Sequence, residues 1–78
     1  MVFQLVQLAI DENGRVISRK ETLPLFELRD GAMALAQFDA ARMSDEYGYD
    51  GDADCWWSRE GGRRFRFVVE RMKDAIAA

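Results

Sequence analysis

The first apolar run, VFQLVQLAI, is hydrophobic on both of the sets a strand alternates: Val2, Val6, Leu8 and Ile10 against Phe3, Leu5 and Ala9. DENGR follows, and its Asn13-Gly14 pair is the strongest short hairpin signal a sequence offers. A second strand over about residues 15–23 is far more polar, with Arg15, Ser18, Arg19, Lys20, Glu21 and Thr22. That is the pattern of an edge strand guarded by charge, so the first strand is the more interior of the two. With Asn13-Gly14 as a two-residue turn, Glu12 opposes Arg15 and Ile10 opposes Ile17.

Pro24 ends the sheet pattern, and Asp30 reads as the N-cap of a helix over about residues 31–47 that stops at Gly48. At 100° per residue, Met33, Ala36, Ala40, Met43 and Tyr47 form one stripe, and Ala34, Leu35, Phe38 and Ala41 another. One reading lays this helix on the sheet, with the second stripe covered by a loop or by the C-terminal segment. The other turns a stripe toward a second protomer, which the alanines let approach closely; Met33, Ala36, Ala40, Met43 and Tyr47 are then the helix interface.

CWWSRE and RRFRFVVE, joined by Gly61-Gly62, make a second hairpin. The turn sets Trp57 opposite Arg66, Arg59 opposite Arg64 and Trp56 opposite Phe67. Opposed residues share a face, so Trp56, Phe65, Phe67 and Val69 form an apolar side, and Trp57, Arg59, Arg64 and Arg66 form the other. Residues 71–78, RMKDAIAA, read as a short terminal helix or frayed end with Met72, Ile76 and Ala75 as apolar contacts. The expected fold is α+β, an antiparallel sheet of about four strands packed on one main helix in the order ββαββ(α). Its expected core is Val6, Leu8, Ile10, Ile17, Leu35, Phe38, Trp56, Phe65, Phe67 and Val69.

Seventy-eight residues allow one domain with one core. A hydrophobic content of 49% and a single proline set the chain apart from disordered sequences. The lone cysteine, Cys55, and the lack of histidine exclude an intramolecular disulfide and a Cys/His zinc site, so self-association is the expected source of added stability. The opening segment lacks a basic flank and a cleavage site, and no run approaches a bilayer span. An unpaired thiol fits a reducing compartment, so the chain is expected in the cytoplasm and away from membranes. A net charge of -3 argues against general nucleic-acid binding.

The stretch YDGDADCWWSRE carries Asp50, Asp52 and Asp54 at positions 1, 3 and 5 of a calcium loop. The required glycine at position 6 is Cys55 and the required glutamate at position 12 is Gly61, so only half the motif is present. Aspartate and glycine also favour turns, and a turn is the preferred reading. Calcium at Asp50, Asp52 and Asp54 is the weaker alternative, and no cofactor is expected.

Trp57 with Arg59, Arg64 and Arg66 suits a protein partner or a homo-oligomer; alternatively it could stack a base and hold phosphates of single-stranded nucleic acid or another polyanion. A solvated face with arginines over the indole accounts for the same residues without a ligand. No nucleophile and base stand at a catalytic spacing, and Gly61-Gly62 belongs to the hairpin rather than to a phosphate loop, so the chain is expected to be a non-enzymatic interaction module.

The NG hairpin, the alanine-rich helix, the entry YGYDGDADCWW and the closing RFRFVVE together resemble short, one-domain bacterial proteins whose families carry no assigned activity. The resemblance implies a small α+β domain and no particular substrate.

Overall fold

The structure is a computed structural model and describes residues 1–72. Five strands and one helix follow in the order β1 (Val2–Ile10), β2 (Val16–Glu21), α1 (Arg29–Met43), β3 (Tyr47–Asp50), β4 (Cys55–Glu60) and β5 (Arg63–Met72). All strands join one antiparallel sheet of order β2-β1-β5-β4-β3. The α+β class and the packing of an antiparallel sheet on one helix are as the sequence pattern predicts, with a fifth strand added. β1 lies inside the sheet, and β2, exposed along its whole length, is an edge.

Register decides which side chains meet the helix. Across the sheet, Gln7, Phe67, Trp56 and Tyr49 form one continuous row, and Ala9, Phe65, Ser58 and Tyr47 the next. Leu5, Phe67, Ala36 and Ala40 form the fully buried cluster, with Leu35, Met43, Trp56, Phe65 and Val69 packed around it. The helix therefore contacts the sheet through Ala32, Ala36 and Ala40, one per turn. Their small side chains let the helix backbone sit close to the aromatic rows. Ser58, also buried, donates its hydroxyl to Met43 Sδ at 3.1 Å.

Several local expectations change. Asp11 rather than Asn13-Gly14 sets the first hairpin: its Oδ1 accepts the amides of Asn13 (2.8 Å) and Arg15 (2.9 Å), and its carbonyl accepts the Gly14 amide at 3.0 Å. The loop then has three residues with Gly14 at φ 83, so Asp11 opposes Arg15 and Ile10 opposes Val16, not Ile17. A bulge between Ala9 and Ile10 restores the expected register farther along. The Gly61-Gly62 hairpin keeps its predicted pairing throughout, with both glycines at positive φ as a type I′ turn requires.

The helix starts at Arg29 after Leu28, with Asp30 in its first turn instead of at the cap, and ends at Met43. Ser44 closes it: its amide reaches Ala40 O, its hydroxyl donates to Arg59 O at 2.6 Å and accepts the Glu46 amide at 3.1 Å. Tyr47 consequently belongs to β3 and not to the helix, since the alternation Tyr47, Gly48, Tyr49, Asp50 pairs with β4 and stacks both tyrosines near Trp56. Arg71 and Met72 extend β5 where a helix was expected. Ala75 and Ile76 lie outside the described residues. Leu5 belongs to the core, whereas Ile17 and Phe38, both expected there, are exposed.

Candidate functional site

The face of the sheet opposite α1 carries Trp57, Arg59, Arg64 and Arg66 together, as the hairpin register requires. Beside them β1 and β2 place Leu8, Ile10 and Val16, because Leu8 opposes Arg66, and Ile10 opposes both Arg64 and Val16. These residues line a cleft of about 510 Å³. Trp57 is half-buried rather than projecting, with its ring over Gly48: a Cβ built at Gly48 would come within 3.1 Å of the indole. That close approach is the reason for glycine at the centre of β3.

The arginines differ in their partners. Arg59 pairs with Glu46 at 3.2 Å, and Arg66 reaches Asp50 at 3.7 Å and the buried Cys55 Sγ at 3.6 Å. Arg64 has no ion pair or hydrogen bond among the described residues, although it stands directly opposite Arg59, where like charges repel. Farther along the same face, Arg19 bridges Glu70 and Glu21 over the middle of β1. These bonds raise the Arg19 guanidinium pKa, and Arg19 holds the Glu70 carboxyl below its ordinary range.

The expected helix-interface stripe is divided. Ala36 and Ala40 are fully buried against the chain's own sheet, Met33 and Met43 are half-buried, and Tyr47 lies on β3. The second stripe supplies the exposed surface instead. Phe38 is 59% exposed and Leu23 is 78% exposed, and both line a groove of about 880 Å³ between α1 and the β2 end of the sheet, with Leu35 and Met43. Arg42 lies 5.6 Å above the Phe38 ring. The groove exists because α1 packs over β1, β3, β4 and β5 but not over β2.

Asp50, Asp52 and Asp54 organise a turn. Asp50 Oδ1 accepts the amides of Asp52 and Ala53, and Asp54, at φ 53, pairs with Arg29 at the start of α1 and accepts the Tyr49 hydroxyl at 2.5 Å. Two of the three carboxylates are thus engaged in clasping β3, the turn and the helix. Among the described residues no cluster of three carboxylate or cysteine side chains could hold a metal ion. The hydrogen bond to Asp54 raises the Tyr49 pKa above its ordinary value.

No family model, curated protein or solved structure matches this chain. Among the described residues no helix is long and apolar enough to cross a membrane. Ile10 is buried, as the pattern predicts, but it and the half-buried Leu8 lie on the face away from the helix; Leu23, on the groove, is not among the residues the pattern singles out. The placement of the first two is legible in the pattern, since a strand apolar on both sets must put one set on the face away from the helix.

Proposed function

We propose that this chain is a non-enzymatic interaction module that self-associates, or docks a protein partner, through the groove between α1 and β2. The observation that supports this reading is the exposure of Phe38 and Leu23 on one groove, above the buried Phe67 that also lines it. Two large apolar side chains held open at the rim of a core are characteristic of protein-docking surfaces. The charges around them, Lys20 and Arg42 with Glu21, Asp39 and Glu60, give a polar rim of both signs. Sedimentation at tens of micromolar tests it on wild type, Phe38→Glu and Leu23→Glu. The expected result is a concentration-dependent dimer that both substitutions reduce to monomer while the fold stays intact. A wild type that stays monomeric, and whose solubility neither substitution alters, removes the groove as an interface.

A second reading is single-stranded nucleic-acid or polyanion binding by Trp57, Arg59, Arg64 and Arg66. Their common face favours it. The carboxylates already on Arg59 and Arg66 weigh against it, because a polyanion site draws its affinity from several unpaired cations. Titration with oligothymidylate at low and physiological salt, on wild type and Trp57→Ala, separates the two readings.

A further inference from the structure

The cleft on the open face combines three features that point to a small ligand. Its volume, about 510 Å³, lies within the range of small-molecule sites, about 300–1,000 Å³. Leu8, Ile10, Val16 and the half-buried indole of Trp57 supply an apolar lining. Among the described residues Arg64 is the one cation of that lining without a carboxylate, since Arg59 and Arg66 are already paired. Local pairing therefore leaves the cleft one positive charge, placed beside an aromatic surface.

We infer that this cleft binds a small amphipathic monoanion, an apolar or aromatic body bearing one carboxylate, with the carboxylate on Arg64 and the body against Trp57, Leu8 and Ile10. A singly charged carboxylate matches one free guanidinium, which can hold it through two parallel N–H bonds. A phosphate monoester, with its nearly double charge, would leave part of that charge without a counterpart. Occupation of the cleft also relieves the repulsion between the opposed Arg59 and Arg64. The site is on the opposite face of the sheet from α1 and its groove, so it stands or falls independently of docking there.

Naphthalene-2-carboxylate is a suitable probe, with naphthalene-2-carboxamide as its neutral twin, each titrated into isotopically labelled protein and followed by NMR. The carboxylate is expected to shift the Trp57 indole N–H and the amides of Leu8, Ile10 and Arg64 saturably. It should bind about tenfold more tightly than the carboxamide, the effect of one partly solvated charge-assisted contact. Arg64→Gln should reduce it to the carboxamide's level, and Arg64→Lys should retain part of the gain. Arg63→Gln should change nothing, since Arg63, equally without an ion pair among the described residues, sits opposite Glu60 on the other face. Phe38→Glu must also leave the affinity intact. Equal binding of acid and amide, equal losses from Arg63→Gln and Arg64→Gln, or no saturable shift up to the probe's solubility overturns the inference. Tighter binding of oligothymidylate, with the salt dependence of several phosphates, overturns it in favour of the polyanion reading.

Discussion

Phe67 and Phe38 offer a direct comparison, because the sequence pattern puts both in the core and the fold treats them differently. Phe67 is completely buried at the centre of the sheet face under α1, whereas Phe38 is 59% exposed. Replacing Phe67 by alanine removes a buried ring and leaves a cavity, a loss of about 3–5 kcal/mol. For Phe38, roughly two fifths of the ring's burial is at stake, about 1.2 kcal/mol out of the roughly 3 kcal/mol of a fully buried phenylalanine. The contact with Arg42 adds about 0.5 kcal/mol, and alanine's better helix propensity returns about 0.5 kcal/mol. The net loss for Phe38→Ala is therefore about 1 kcal/mol. A chain of 78 residues has a total stability of about 4–12 kcal/mol, so only the Phe67 change threatens the fold. Urea unfolding with a slope of about 1 kcal/mol/M separates them, moving the midpoint by about 3 M or more for Phe67→Ala and about 1 M for Phe38→Ala. Should Phe67→Ala be unfolded in water, Phe67→Leu provides a folded comparison, with a loss on the order of 1 kcal/mol. Similar losses for the two alanine variants, or a larger one for Phe38→Ala, would refute the placement of α1 and with it the groove.

Two further outcomes follow from local geometry. Gly62→Val forces a β-branched residue into φ 81 at the type I′ turn and should destabilise the chain by about 1–2 kcal/mol, measured by urea unfolding, while Gly51→Ala, with a non-positive φ and only Tyr49 nearby at 3.8 Å, should cost far less. The Glu70 carboxyl, held below its ordinary pKa of 4.5 by Arg19, binds fewer protons in the folded than in the unfolded chain. Its contribution is complete above that value and disappears as the pH falls through the lowered folded pKa, so wild type should exceed Glu70→Gln in stability at pH 7 by a small margin that vanishes on acidification; a margin independent of pH would contradict the Arg19 bridge.

The hairpins and the helix were legible because each is specified by neighbours in sequence. Gly61-Gly62 leaves no choice of turn, and the pairing of Trp57 with Arg66 follows from it. The first hairpin departs from expectation by one residue at its tip, because Asn13-Gly14 suggests a two-residue turn while the Asp11 carboxylate selects a three-residue one. The helix is read as far as Tyr47 because that residue continues the stripe of Met33, Ala36, Ala40 and Met43; only pairing with β4, a tertiary fact, draws Tyr47 into the sheet. The same limit applies to the surface. Phe38 shares a stripe with Leu35, and nothing in a periodicity tells which turn of a helix overhangs the sheet. Arg64 could be placed on its face from the hairpin alone, but its lack of a partner depends on where Glu46 and Asp50 come to lie.

The two strands at the middle of this sheet, β1 and β5, stand first and last among the described elements, and Val2 lies opposite Met72. Each hairpin can close early from local contacts, but the sheet is united only when the beginning of the described chain finds its end, at nearly the largest loop entropy those residues permit. Until then α1 has no complete surface on which to lie, and during synthesis the apolar β1 must wait through the emergence of everything before β5. Pairing of β1 with its inner neighbour therefore waits until β5 has emerged, and the charges that line β2 protect its edge during an interval when β1's other side is still unpaired.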